Sequence, residues 1–516
     1  MNVDSSAHCR TFVVAIFALV ALALARCVAQ PEPRGAPSLN ATTLENERPG
    51  SAEWEITSPA LAREIEGYAS RTSVDRGEAI DLFVSTLDPA YTVDVFRMGW
   101  YSGTGARQVA GPIARPGIRQ VMPSPDARTG LVECRWRDPY RLATSDGNVP
   151  WPSGVYLARL TASPSGRQAY IVFVVRDDAR PSDLVFQSSV TTFAAYNNWG
   201  GNSLYAFNSA DGPTRKVSFD RPYAMVPYGI RLDGAGDFLR RWEYNALRWL
   251  EREGYDVTYI TDVDTHERSG TLLGHRAFLS VGHDEYWSWA MRDHVEAARD
   301  HGVNLVFLGA NASFWQIRFE PGPDGAPNRT LVSYKEAAEH DDPFATDGDP
   351  ANDHLVSGRW RDPPVSRPEA SMIGVMYVAD PVDADIVVAD ASHWAFAGTG
   401  LATGDVMPGL LGYEVDAAPA NARSDLVRLA HSPFPVGDPQ RTLHSDMTIY
   451  AAGSGALVFA TGSMQWNWGL DGYNAPQFHP LRVNAAAQQV TRNVLRRMLT
   501  REHRDRPNGG WLESGR

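Results

Sequence analysis

The sequence predicts an α/β protein preceded by an all-β domain. Between residues 53 and 176, short apolar runs are separated by turn residues. From 183 onward, strand-like and helix-like segments alternate. The chain's 516 residues also exceed what one hydrophobic core serves, so two or three domains are expected.

Residues 1–30 read as a targeting segment. Arg10 precedes an uncharged apolar run from Phe12 to Ala25, too short to span a bilayer comfortably. Small residues near Ala25 or Ala29 suit cleavage, which implies export to the periplasm or beyond. An uncleaved N-terminal anchor is the alternative. Arg26 before Cys27 argues against a lipoprotein site. Residues 31–52, rich in Pro, Ala, Asn and Glu, read as a linker. Runs 79–85, 91–96, 155–160 and 170–175 read as strands, and the turn at 162–166 joins the last two as a hairpin. The region 53–176 is therefore expected to form a β-sandwich, with a polar boundary at 176–181.

Within 181–502, strands are expected at 184–188, 257–261, 277–282, 304–309, 386–389 and 456–461. Helices are expected at 243–253, 287–301 and 483–500. Elements of these lengths imply a mostly parallel sheet with helices on both faces. The stretch 319–365 has little periodicity and reads as an ordered functional loop or lid. Residues 503–516 form a polar tail.

Composition narrows the function. The net charge of −13 argues against a nucleic-acid surface, because phosphate binding needs clustered Lys and Arg. Three cysteines, Cys9, Cys27 and Cys134, supply no disulfide framework once a leader is removed. Cys134 reads as a small buried hydrophobe.

The stretch most suggestive of chemistry is 277–287. An apolar strand breaks at Gly282, and His283, Asp284 and Glu285 follow before a helix begins near Trp287. Ligands of open α/β sheets bind outside the carboxyl ends of the strands, so these residues offer a base and two carboxylate metal ligands. A solvated turn with Asp284 as helix cap is the plainer reading. Tyr196, after the first strand of the same domain, lies on the same sheet edge, and Tyr205 is nine residues on. Either is a candidate phenolate or a packed aromatic. Asn311 ends the next strand, where its carboxamide would orient a carbonyl or an oxyanion, or cap a helix. Lys335, beside Glu336, would stabilise negative charge or sit on the surface. Glu414 faces the same cleft or has a structural part.

The acidic run 339–349 lacks the spacing of an EF-hand and reads as a solvated loop. His444-Ser445-Asp446 is polar, but no Gly-x-Ser-x-Gly elbow accompanies it, which argues against a serine hydrolase. No His-Glu-x-x-His, Cys-x-x-Cys, Walker loop or Gly-x-Gly-x-x-Gly fingerprint is present.

Segments 195–201, 249–257, 280–289, 308–312 and 462–466 together resemble the large (β) subunit of N,N-dimethylformamidase and its relatives. The resemblance covers most of residues 55–500. It implies an immunoglobulin-like β domain and an α/β domain similar to class I glutamine amidotransferases. It also implies an amidohydrolase acting on a non-peptide C–N bond, releasing formate and an amine from a formamide. The implied cofactor is one mononuclear non-haem iron held by two tyrosinates and a glutamate. By motif, Glu285 matches the carboxylate ligand with His283 beside it, and Tyr196 matches one tyrosinate. Tyr156 in 153–157 is the expected second tyrosinate, with Tyr205 its rival. Asn311, Lys335 and Glu414 match catalytic or supporting positions. Hard anionic oxygens suit ferric iron. The implied partners are a small amide substrate and a small partner subunit, and a homo-oligomer is open.

The export signal departs from the cytoplasmic setting expected of dimethylformamide breakdown. A second reading is therefore an exported carbohydrate-active or glycan-binding protein, with Trp199, Trp287, Trp466 and Trp468 stacking on sugars.

Overall fold

The computed structural model describes residues 39–210, 212–225, 233–437 and 440–500. The expected leader at 1–30 and the tail at 503–516 lie outside the described residues.

The β region is built on two main sheets. Ile65–Ala69, Ala79–Thr86 and Tyr140–Ala143 form an antiparallel three-stranded sheet. Ser73–Asp75, Gln168–Arg176, Gly154–Ser163, Ala90–Met98 and Ala106–Pro116 form a five-stranded one. Burial along Ala79–Thr86 alternates residue by residue, the signature of a strand with one face inward. Ile80, Leu82 and Val84 pack with Val93, Val95, Ile171 and Phe173 between the sheets. The hairpin expected at 162–166 forms, pairing Gln168 with Thr161.

The second region is built on a seven-stranded sheet. Its order is Val257–Thr261, Leu184–Ser188, Ala277–Gly282, Asn304–Gly309, Leu457–Ala460, Arg441–Ala451 and Val427–Val436. The first five are parallel and the last two antiparallel. Ala277–Gly282 and Asn304–Gly309 are buried along their whole length, which accounts for their uninterrupted apolar sequences. Helices Glu243–Glu253, Trp289–Asp300 and Ala485–Thr500 match expectation closely. The first ends at Gly254 in the left-handed region, as its glycine suggests. No described helix is long and apolar enough to cross a membrane.

Two expectations are corrected. Residues 39–52 are not a linker. Asn40 caps a short helix, Ala41–Asn46, that docks on the α/β region through Asn40 to the Gly254 carbonyl (2.9 Å) and Asn46 to Glu251 (2.8 Å). The strand expected at 386–389 is not in the main sheet: Met376–Val387 pairs with Val406–Ala417 in a separate hairpin. The stretch 319–365 is ordered, as expected, and supplies Lys335 and Arg359 to the cleft described below, although part of it is regular. Trp315–Glu320 and Thr330–Val332 join Lys216–Ser218 and Tyr286–Ser288 in a four-stranded sheet. In the acidic run, Asp342 is buried and paired with Arg318 (2.8 Å), while its acidic neighbours are exposed.

The two regions meet over a buried ion pair. Arg97 of the β-sandwich donates to both Glu251 oxygens (2.8 and 3.2 Å) and to the Ser153 carbonyl. Glu251 also accepts from Tyr259 (2.8 Å) and Asn46. Each charge is therefore surrounded by partners, and loss of one partner strands the other in an apolar junction. Glu251→Ala should cost about 3–5 kcal/mol in chemical unfolding. A loss under about 1 kcal/mol would mean that the pair contributes no more than an exposed one.

Candidate functional site

The centre forms where adjacent parallel strands end. Ala277–Gly282 and Asn304–Gly309 run in register to their last residues, Gly282 opposite Gly309. Gly282 takes φ +72, and a Cβ there would collide with Trp242; a Cβ at Gly309 would collide with the Gly282 carbonyl. The two glycines thus let the strand ends approach closely, and the residues after them emerge side by side.

His283, Asp284 and Glu285 then diverge. Asp284 turns inward. Its carboxylate accepts from Gln187, Ser280 and the Trp287 indole, all at 2.8 Å. That saturates it as a structural anchor, so it supplies no ligand in the cleft, contrary to the reading of two available carboxylates. Glu285 turns outward and is held through its backbone. Its N–H donates to Thr192, and its carbonyl accepts from Phe314 and Trp315.

The Glu285 carboxylate gathers the site. Tyr196 Oη donates to Oε2 at 2.9 Å, and Tyr205 Oη lies 3.0 Å from both oxygens. Tyr286 Oη donates to Tyr205 Oη at 2.6 Å. Tyr196 ends the helix Val190–Tyr196 that follows strand Leu184–Ser188, and its ring stacks on Tyr205 at 4.2 Å. Tyr156 is the correction. It lies in the core of the β-sandwich between Trp151 and Phe173, with its hydroxyl donating to the Pro152 carbonyl at 2.6 Å. Tyr205 occupies the position at Glu285 that was expected of Tyr156.

A second carboxylate completes the electrostatics. His283 Nε2 lies 3.1 Å from Glu285 and 3.5 Å from Glu414, which the hairpin strand Val406–Ala417 carries in. Burial opposes charge on the imidazole, but the carboxylates of Glu414 and Glu285 outweigh it and hold His283 up at about 9. Burial raises Glu414 to about 7 against the pull of His283. Glu285 has the reverse balance. Burial works against its charge, yet His283 and the neighbouring Lys335 keep it below the usual carboxylate range. Burial, and then the Glu285 charge, push the Tyr196 and Tyr205 phenols well above their ordinary value.

Asn311 and Lys335 both adopt left-handed backbone, φ +54 and +56. Asn311 is fixed by its N–H to Asp416 (2.8 Å), with its carboxamide against Glu414. Lys335 places Nζ 3.2 Å from the centre of the Tyr205 ring and 4.9 Å from that of Trp315, a cation over aromatic faces. Burial lowers it to about 8. Strain of this kind gathers at functional sites.

These groups line a cleft of about 580 Å³. Tyr196, Glu285, Asn311, Lys335 and Glu414 all face it, whereas Tyr156 does not. Phe314, Trp315, Tyr377, Arg359 and Asp380 are wall residues that the sequence reading missed, as it missed Tyr286. Only Tyr286 carried a signal, standing beside Glu285. The tryptophans offered for sugar stacking are committed elsewhere. Trp199, Trp287 and Trp466 are buried, and Trp468 is stacked between Trp242 and His479.

The electrostatics predict a measurable shift. In chelator-treated protein, Glu414→Gln should lower the His283 pKa by about 1–3 units, read by NMR of labelled histidine. An unchanged value would remove Glu414 as the group that holds the imidazolium.

A family model described as N,N-dimethylformamidase beta subunit-like, C-terminal, matches residues 92–479, three quarters of the chain and every cleft residue named above. The N,N-dimethylformamidase beta subunit of Alcaligenes sp is 22% identical over 229 residues, 37% of this chain and 29% of that protein. Among solved structures, the mmIFT52 N-terminal domain covers 49% of this chain, and 87% of its own, at 12% identity and a TM-score of 0.27, too low to bear on the fold. The extent of the family match, across both the β-sandwich and the sheet that carries Glu285, means that the chain belongs to the N,N-dimethylformamidase beta subunit-like family.

Proposed function

We propose that this protein is a metal-dependent amidohydrolase cleaving a C–N bond of a small non-peptide amide or formamide beside Glu285. The observation that carries the reading is the convergence of two phenols, Tyr196 and Tyr205, on one buried carboxylate. Asn311, Lys335 and Glu414 line the same cleft, and His283 lies against Glu285 and Glu414.

The donor set fits ferric iron. Three hard oxygens lie together, and two of them carry protons where a cation would bind. Because burial holds both phenols well above their ordinary value, a polyvalent cation is the natural agent to displace those protons. Tyr196, Tyr205 and Glu285 would hold the ion, which when bound supplies Lewis acidity to an amide carbonyl and acidifies water.

The remaining steps belong to the chain's own residues. Glu414, raised to about 7, is suited to take a proton from attacking water and return it to the leaving nitrogen. His283, positive up to about 9, balances the two carboxylates and keeps Glu285 ionised. Lys335 and the Asn311 carboxamide face the cleft, where an oxyanion needs donors. Phe314 and Trp315 supply apolar wall that limits water. A cleft of about 580 Å³ suits a small substrate.

We also propose, from the sequence resemblance alone, iron as the metal, an immunoglobulin-like β-sandwich and an α/β region related to class I glutamine amidotransferases; the beta-subunit naming of the matches supports a partner subunit. Export rests on residues 1–30 alone. The activity itself remains a proposal for this chain, which spans only 29% of the Alcaligenes protein. The glycan reading loses its basis with the burial of its tryptophans.

Amine release from a panel of formamides and small amides tests this. Iron-supplied protein should release amine, Glu285→Ala should abolish it, and Glu414→Gln should slow it by about 10²–10⁴-fold. No release from any amide, or full activity in Glu285→Ala, would contradict the proposal.

A further inference from the structure

We propose that the hairpin formed by Val427–Val436 and Arg441–Ala451 carries a second metal site, separate from Glu285. It would take a borderline divalent cation such as zinc, with His431, His444 and Asp446 as ligands.

The register of the hairpin creates the cluster. His431 pairs directly with Asp446, and Pro433 with His444. Side chains two apart on a strand share a face, as do directly paired residues, so all three project from one side. Their ligating atoms lie within 4.8 Å of one another. His431 Nδ1 is 2.8 Å from Asp446 Oδ1, His444 Nε2 is 3.8 Å from Oδ2, and the imidazole centres are 4.4 Å apart. Antiparallel strands hold such spacings more rigidly than a loop does.

The plainer account explains only half of this. Asp446 is fully buried and anchored by the Ala418 N–H to Oδ2 (2.9 Å), and a hydrogen bond to His431 accounts for one imidazole. The His444 side chain, half exposed, makes no hydrogen bond to another described residue, yet is held against His431. A shared ion would give both imidazoles and the carboxylate one partner.

The donor set selects the cation. Two imidazoles and one carboxylate suit zinc and its transition-metal neighbours, whereas magnesium and calcium prefer all-oxygen shells. Three protein ligands leave a fourth position to solvent, which the exposed histidines adjoin. Arg428 is the competitor. Its Nε lies 3.5 Å from Asp446 Oδ2, and its side chain is half exposed and able to swing away. Asp446 also grips Ala418, just beyond the strand that carries Glu414, so the ion would brace that strand from behind.

Equilibrium dialysis of chelator-stripped full-length protein against zinc chloride, with elemental analysis, tests the site. Wild type should bind one zinc more per chain than the His431→Ala/His444→Ala double variant. His444→Ala alone should weaken that site by roughly tenfold or more. Arg428→Ala should tighten it, because a competing cation is gone, a sign that adventitious binding to surface histidines would not give. Far-UV circular dichroism checks that each variant is folded, and His444→Gln serves if the double variant is not. Equal zinc in folded wild type and variant, or no tightening in Arg428→Ala, overturns the proposal.

Discussion

The site depends on a single constraint: one buried carboxylate, Glu285, must be kept charged at the end of a parallel sheet. A lone carboxylate there would protonate. It stays ionised because His283, Tyr196 and Tyr205 lie within hydrogen-bonding reach and Lys335 stands nearby. Each of those groups arrives on a different segment. The first-strand helix brings Tyr196, the following loop brings Tyr205, and the four-stranded wall leads into Lys335. Glu414 arrives on the separate hairpin and balances the imidazolium from the other side. Satisfying one charge thus fixes the relative placement of several elements.

The scaffold follows the same logic at larger scale. Arg97 and Glu251 settle the junction between β-sandwich and α/β region by meeting only when both are docked. The short helix Ala41–Asn46 reinforces the junction, since Asn46 reaches Glu251 and Glu45 accepts from Tyr101. Buried charge here imposes geometry more than it adds stability, because removal from water offsets most of the Coulomb attraction.

Much of this was legible in the sequence where a local rule decides. The strands 277–282 and 304–309 announced themselves by unbroken apolar runs ending in glycine, and the helix 243–253 by its terminal Gly254. Glu285 and His283 were legible because they follow such a strand, and Tyr196 because it follows the domain's first strand on the same sheet edge. Tyr156 misled because a strand tyrosine packed in a core looks, in sequence, like one aimed at a site; only the fold separates its Pro152 partner from Glu285. Asp284 misled for the opposite reason, since the turn after Gly282 sends neighbouring side chains in opposite directions. The four-stranded wall was hidden because its strands are short and pair with segments as distant as Lys216–Ser218, leaving no periodic signal. The docking of Ala41–Asn46 was hidden because a six-residue helix is held by tertiary contacts rather than by its own propensity.

The most direct test of the account compares Tyr205→Phe with Tyr156→Phe, reading iron per chain and visible absorption after iron loading. Tyr205 touches Glu285 and Tyr156 does not. The account predicts that Tyr205→Phe loses the phenolate-to-iron band and most of the iron, while Tyr156→Phe keeps both. Retention of iron and colour in Tyr205→Phe, or their loss only in Tyr156→Phe, would contradict it.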